Sequence, residues 1–506
     1  MEKSYLLGID IGTSACKIAV FDRNGHVAAA GNGSYKVYYP QEGWAEQDPE
    51  EWWDVICRTI RKTLEEGNID PDRIAGIGID GQSWSAIAID KEGRVLTNTP
   101  IWMDTRAASI CRRLNREIGE DRIFAVSGNS LQPSYTTAKV LWYKENMPEV
   151  YAKIDKILQS NSFIGYKLTG AITQDLSQGY GWHCFSMREG TWDPEMCEKL
   201  GIPMEFLPPI VPCDEIIGTV TKEAAEKSGL AVGTPVAAGG LDAACGTLGA
   251  GVIHPGETQE QGGQAGGMSI CLSEYKADPR LILGYHVVPG TWLLQGGTTG
   301  GGGVMRWFEQ EFASYEREIS GRVGKSSLEQ LNVIAEQVPA GCEGLTFLPY
   351  MAGERSPIWN PDAKGVFYGL DFSKTKGHMV RACMEGVAYS LRHNLEAAKE
   401  AGAEAEVLRA MGGSANSLLW TQIKSDVTGR PIVVPSSDTA TTLGAALLAG
   451  VGVGFYKDYE EAVACTVREM RRHEPDPAMK AVYDAGFETY KKLYESLRGL
   501  MTRKEG

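Results

Sequence analysis

The chain has 506 residues, 43% of them hydrophobic and 23% charged, the mix of a globular protein too long for one ordinary core, so two domains of comparable size are expected. A formal net charge of −15 argues against sustained binding to nucleic acid or anionic membrane, both of which rely on basic patches, and leaves small molecules as the expected partners. An anionic ligand must then be held against the overall field by local N–H groups, a few cations and a metal, so Mg²⁺ is an expected requirement.

The first segment, LLGIDIGTSACKIAVFDRNGHV, predicts a strand, a tight turn and a second strand. Asp10 stands just before Gly12, Thr13 and Ser14, and alternation resumes from Cys16 to Phe21 before a turn over Asp22 to Gly25. Such a bend aims backbone N–H groups and two hydroxyls at one spot, which suits phosphate oxygens, and the neighbouring carboxylate can attract magnesium through water. An ordinary hairpin is the alternative. In GWAEQDPEEWWDVICRTIRKTLEEG, Asp48 is placed to cap a helix with Pro49 in its first turn, and Trp52, Val55, Ile56, Ile60 and Leu64 recur at helical spacing. RIAGIGIDGQSWSAIAIDKEGRVL predicts a second strand pair whose turn, Asp90 to Gly93, echoes the first. Short β-type runs alternating with longer helical ones give an α/β architecture.

Glycine becomes frequent from Gly239 onward, and a domain boundary is placed near Gly246. The stretches QEQGGQAGGMS and LLQGGTTGGGGVMRWF mark either turns with positive φ or close approach of backbone to a ligand. LRAMGGSANSLLWTQIKSDVTGRPIVVP reads as strand, Gly-Gly turn and a helix carrying Leu418, Leu419, Ile423 and Val427 on one side, its N-terminus able to receive a nucleotide. From about Tyr456 the chain reads as charged, helical and structural.

Eleven cysteines, an odd number without a CxxC, suggest buried free thiols of a reducing compartment, and the seven histidines show no metal-binding pair. The start runs into the first strand without a leader, and no run approaches a membrane span, so a cytoplasmic location is expected. Two motifs are decoys. Gly76, Gly78 and Gly81 have dinucleotide-loop spacing, but SWSAIAID alternates like a strand where that motif needs a helix. Gly324, Lys325 and Ser326 end like a P-loop, yet Ile319 stands where its first glycine belongs.

In this order GIDIGTS, GWAEQDPEEWW, GQSWS, PIWMDTRA, GGLDAACGTLGAG, FLPYMAGERSPIWNPDAKGVFYGL and MGGSANSLLWTQIKSDVTG occur, and with them the chain resembles the FGGY carbohydrate kinases, nearest the xylulokinase-like branch, from residue 5 to about 455. SYTTAKVLWYKEN and GVFYGLDFSKTKGHMVRACMEG nearly fit the family's two signatures, with Tyr143 and Cys383 as the departures. The resemblance implies two actin-like, ribonuclease-H-like ATPase domains, 1–246 and 247–506, flanking a central cleft. It implies transfer of the γ-phosphoryl group of ATP to a small sugar or polyol, a ketopentose such as xylulose leading. Other polyols and aldonates such as gluconate remain alternatives, as does an actin-like ATP-binding regulator without kinase activity; a nicotinamide dehydrogenase rests on the first decoy alone. A homodimer is left open.

By the same resemblance, Asp242 is the catalytic base, a role compatible with capping its helix. Asp10 holds the metal, and Gly12, Thr13, Ser14 and Lys17 face the phosphates, the side onto which Lys17 alternates being unassigned. Gly263, Gln264, Ala265 and Gly266 form a second phosphate loop, with Gln264 where the family usually has a hydroxyl. Gly301, Gly302, Gly412, Gly413 and Asn416 border the nucleoside. Gln82, Ser83, Trp84, Trp102, Asp104 and Arg106 face the sugar, a mixture of hydrogen-bonding groups and indole that a polyol requires. Ser83-Trp84 replaces the usual Met-His, and Ala243 the usual Asn after the base; Trp84 fits a core position as well as a sugar wall.

Overall fold

The computed structural model describes residues 3–436 and 439–501. Strands β1 (Tyr5–Ile11), β2 (Ala15–Phe21) and β3 (Val27–Ser34) form an antiparallel meander. Helix α1 (Pro49–Glu66) then covers the sheet and returns the chain to β4 (Ile74–Gly81), which lies parallel to β1. With β5 (Ile216–Thr219), β6 (Pro235–Ala237) and β7 (Gly240–Leu241) the sheet runs β5-β6-β4-β1-β2-β3, with β7 also on β4. The α1 signals act as read: the Asp48 side chain accepts from the N–H of Glu50, and Trp52, Ile56 and Ile60 are fully buried.

A second sheet repeats the plan. It contains β8 (Glu257–Gly262), β9 (Gly266–Leu272), β10 (Ile282–Tyr285), β11 (Trp292–Thr298), β12 (Val407–Met411), β13 (Ile432–Pro435) and β14 (Glu469–His473), ordered β10-β11-β9-β8-β12-β13-β14. Again an antiparallel meander is followed by a strand, β12, laid parallel against the meander's first strand. The recurrence is the actin-like, ribonuclease-H-like architecture. Among the described residues no helix is long and apolar enough to cross a membrane.

Four further helices matter below: α2 (Ser160–Thr169), α3 (Asp242–Gly249), α4 (Gly302–Phe312) and α5 (Leu418–Thr428). A fifth, α6 (Ala440–Gly452), comes from late in the chain and packs on β1, β4 and α3 of the early part. Its seat is made of glycine. A Cβ on Gly78 would stand 1.8 Å from the carbonyl oxygen of Ala445, and one on Gly8 2.1 Å from that of Thr442. Gly76 and Gly78 thus admit α6, while Gly81 packs against Ser160 of α2; helix–sheet packing, not a dinucleotide, explains the spacing. The second decoy dissolves likewise: Gly324 ends one helix with φ +65° and Ser326 opens the next through a capping box with Glu329.

The predicted echo between turns is real at the level of hydrogen bonds. Asp22 accepts from the N–H groups of Asn24 and His26, and Asp90 from those of Glu92 and Arg94. The strand pair around the second turn is not formed as expected. Both edges of β4 are occupied by β1, β6 and β7, so Ile87–Ile89 pairs with Lys156–Leu158 and meets Val95 through one bridge only. Two late expectations also change. Leu418 is exposed while Trp420 takes the buried place, and the helical reading beyond Tyr456 misses β14, an edge strand on which Glu469 and Arg472 face solvent. All eleven cysteines are free, and ten are buried.

Candidate active site

Strand register brings the acidic residues together. Asp10 of β1 pairs with Asp80 of β4, and Asp80 pairs with Gly240 of β7, two residues before Asp242. Asp80 is fully buried, and neither carboxyl oxygen has a hydrogen-bond partner among the described residues. Burial, then the charges of Asp10 and Asp242, hold its carboxyl well above the usual carboxylate range. Burial and the charge of Asp10 raise Asp242 to about 7. Asp242 is the first residue of α3 rather than its cap, and its Oδ1 accepts from the N–H of Ala243 at 2.6 Å. The strand leading to it is anchored from behind: Ser177 Oγ accepts from the N–H of Leu241 at 2.8 Å and donates to Asp175 at 2.6 Å.

Lys17 lies opposite Asp10 in the β1–β2 register and its Nζ reaches Oδ2 of Asp10 at 3.1 Å, which settles its side. The Gly12–Ser14 bend is braced by Gln47, whose amide donates to the carbonyl of Thr13 at 2.8 Å, and by Trp102, whose indole N–H donates to Thr13 Oγ1 at 2.9 Å. No group of three His, Cys, Asp or Glu among the described residues could hold a metal ion by itself. The hard oxygens of Asp10 therefore suit a cation that keeps water and phosphate as its other ligands, as Mg²⁺ does.

The second loop, Gly263 to Gly266, connects β8 to β9 and is held by α4, whose Gly302 N–H donates to Gly263 O at 2.7 Å. A Cβ on Gly301 would stand 2.3 Å from the carbonyl carbon of Ala265, and one on Gly302 2.7 Å from Gly263 O, so loop packing already demands both glycines. The Gln264 side chain accepts from the Arg306 guanidinium. A cavity of about 670 Å³ opens beside this loop, lined among others by Gly263, Gly302, Arg306, Gly413, Asn416 and Trp420. Gly412 has φ +85°, whereas a Cβ on Gly413 would meet no protein atom within 4 Å. Behind the loop Lys424 Nζ bonds Glu260 at 2.6 Å and Ser414 at 2.8 Å.

Among the residues expected to face a sugar, Gln82 donates to Gln47 at 2.8 Å, and its own Oε1 is buried without a partner among the described residues. Ser83 Oγ accepts from the Tyr180 hydroxyl at 3.1 Å. Trp84 has φ +60°, a conformation rare for a bulky residue, and Lys139 Nζ catches its carbonyl at 2.7 Å. Burial lowers that lysine to about 7. The indole of Trp84 stacks on Tyr135 at 4.1 Å between ring centroids, and its N–H has no hydrogen-bond partner among the described residues. Tyr180 lies 5.5 Å from Trp84 and feels the charge of Asp242, which ties this wall to the carboxylates. Asp104 and Arg106 behave differently: they bind each other, the N–H of Ala45 and Glu46, with the guanidinium 3.8 Å from the Trp44 ring centroid. Their polar atoms brace the segment that carries Trp102.

Sequence reasoning passed over Asp80, Tyr135, Lys139 and Tyr180. The carboxylate inside the apolar run GIGIDG was a usable signal; Tyr135 and Lys139 lay in a quoted stretch and acquire meaning only through Trp84.

The model of the N-terminal domain of the FGGY family of carbohydrate kinases matches residues 5–249, and that of its C-terminal domain residues 268–453. The xylulose kinase of Bacillus subtilis (strain 168) is 30% identical over 500 residues, 98% of either chain. The gluconokinase of the same organism is 32% identical over 475 residues, 93% of this chain and 92% of its own. The crystal structure of xylulose kinase from Rhodospirillum rubrum superposes with a TM-score of 0.90 at 30% identity, covering 99% of this chain and 100% of that one.

Proposed function

The chain belongs to the FGGY family of carbohydrate kinases and is an ATP-dependent sugar kinase, and from that premise we propose that its acceptor is a small ketose or polyol, a ketopentose such as xylulose first. The observation that supports the reading is the strand register that brings Asp10 and the start of the Asp242 helix to either side of Asp80, near enough for the charge of Asp10 to act on Asp242. The family assignment sets aside the regulator and the dehydrogenase. Residues 1–246 are assigned the sugar side and first phosphate loop, residues 247–506 the nucleotide side. A reducing cytoplasm is the proposed compartment, in keeping with the free thiols.

In this reading Asp242 accepts the proton of the sugar hydroxyl as its oxygen attacks the γ-phosphorus. Asp10 and the N–H groups of the two glycine loops fix the triphosphate, with Lys17 beside Asp10 adding positive charge. Mg²⁺, when bound, neutralises phosphate charge, and Asp10 would hold it. The nucleoside occupies the cavity beside Gly413 and Asn416. Trp84 and Trp102 cover the C–H face of the sugar, and the free Gln82 Oε1 and Trp84 N–H offer hydrogen bonds to its hydroxyls. Gluconate is the second candidate, carried by the likeness to a gluconokinase.

The test is ADP release against ketoses, polyols and aldonates. Asp242→Ala should abolish acceptor-dependent release while nucleotide still binds, and unchanged turnover would remove Asp242 from its role. Asp10→Ala should raise the magnesium requirement; normal magnesium dependence would contradict the metal assignment.

A further inference from the structure

The segment from Gly353 to Asn360 belongs to the nucleotide-side half yet sends one side chain toward the sugar wall. Its backbone is fixed. Glu354 is buried, and its carboxylate accepts from Thr298 Oγ1 at 2.6 Å, from the N–H of Thr299 at 2.8 Å and from the N–H of Arg355 at 2.8 Å. Ser356 clasps the same strand: its Oγ accepts from the N–H of Gly297 at 2.6 Å and donates to Gly297 O at 3.1 Å. Arg355 between them is therefore aimed by two anchored neighbours.

The Arg355 guanidinium makes no hydrogen bond and no ion pair among the described residues. It lies over the face of Trp102, 5.2 Å from the ring centroid, in the other half of the chain. Compare the paired arginines: Arg106 has Asp104 and Glu46, Arg381 has Glu385, and Arg409 has Glu257. Burial lowers the Arg355 pKa, and its charge acts on the phenols of Tyr135 and Tyr180. A donor set with five N–H groups taken partly out of water without an acceptor is costly unless a ligand supplies one.

In the sugar-kinase reading the crevice receives two ligands, the triphosphate and the acceptor. The groups on which Arg355 acts decide between them. They are Tyr135 and Tyr180 of the aromatic wall, with the face of Trp102 beneath the guanidinium and Glu354 next to it in the chain. Trp84, Tyr135 and Tyr180 pack on one another as a single aromatic wall, and Tyr180 feels the charges of both Asp242 and Arg355.

We propose that Arg355 binds the oxygens of the acceptor sugar across the cleft, so that the nucleotide-side half contributes a specificity-determining residue to a sugar site otherwise built by the first half. The inference rests on the sugar-kinase reading above. It predicts that acceptor binding bridges the two halves, and that acceptors offering a carbonyl or carboxylate oxygen to the guanidinium fork outrank otherwise similar alcohols.

The experiment is steady-state kinetics of Arg355→Gln and Arg355→Lys with the best acceptor of the panel, alongside thermal melting. Arg355→Gln should raise the acceptor KM by about tenfold to hundredfold, leave the ATP KM within about twofold, and shift the Tm of the unliganded protein little, since it loses the contact with the Trp102 face but no hydrogen bond or ion pair among the described residues. Arg355→Lys should fall between. A rise confined to the ATP KM would overturn the proposal in favour of a phosphate contact, and a drop in Tm with unchanged KM values would overturn it in favour of a structural role. If wild type turns over a sugar and the Gln variant keeps its acceptor KM, the Arg355 assignment fails while the kinase reading stands. If no sugar is turned over or shifts the wild-type Tm, both fail.

Discussion

Asp242 is expected to make acceptor phosphorylation depend on pH across neutrality. Its carboxyl is raised to about 7, first by burial and then by the charge of Asp10. A base works only when ionised, so the active fraction of free enzyme is about one-tenth at pH 6 and about nine-tenths at pH 8, and kcat/KM for the acceptor should climb roughly tenfold between them. The neighbours supply internal controls of opposite sign. Asp10→Asn removes the charge that raises Asp242 and should move the midpoint to lower pH. Lys17→Met removes a cation that lowers it and should move the midpoint up. The Lys17 side chain is 64% exposed, so the second shift should shrink as salt is added. Asp242→Asn should cost about 10²–10⁴ in kcat and abolish the slope. The assay is initial rate against acceptor concentration at saturating Mg·ATP from pH 5.5 to 9. A rate flat from pH 6 to 8, or a slope that survives in Asp242→Asn, would refute the reasoning.

Three other outcomes are expected. Lys424→Met leaves Glu260 as an unpaired buried charge behind the second phosphate loop, so urea denaturation should show a loss of about 3–5 kcal/mol, and a loss under about 1 kcal/mol would mean the pair is not holding the loop. Gly78→Ala drives a methyl into the Ala445 carbonyl and should destabilise by about 1–3 kcal/mol by displacing α6; an unchanged Tm would show that the helix has room to shift. Gly413→Val adds a side chain to open space, so melting should be unaffected while the ATP KM rises about tenfold; equal ATP affinity would place the nucleoside elsewhere.

Much of the fold was legible because its signals are local. The Asp48–Pro49 helix start, the turns at Asp22 and Asp90, and the bend after Asp10 each depend on a few neighbouring residues, and each forms as read. The ordered motif series gave the family and with it the cleft. Strand pairing was less legible. Alternation in Ile87–Ile89 reports that the segment is extended, not that its partner is Lys156–Leu158, because both edges of β4 were already filled from elsewhere in the chain.

The sequence by itself determined the α/β class, the kinase family and the pair of acidic residues to watch. Only the tertiary structure decided that Asp80 joins them, that Asp104 and Arg106 use their polar atoms on their own segment, that Gly76 and Gly78 seat a helix from late in the chain, and that Arg355 reaches the face of Trp102 in the opposite half. The physical reason is common to all four. A sequence pattern fixes which way a side chain faces, whereas ionisation, packing and hydrogen bonding depend on what distant parts of the chain bring to that face.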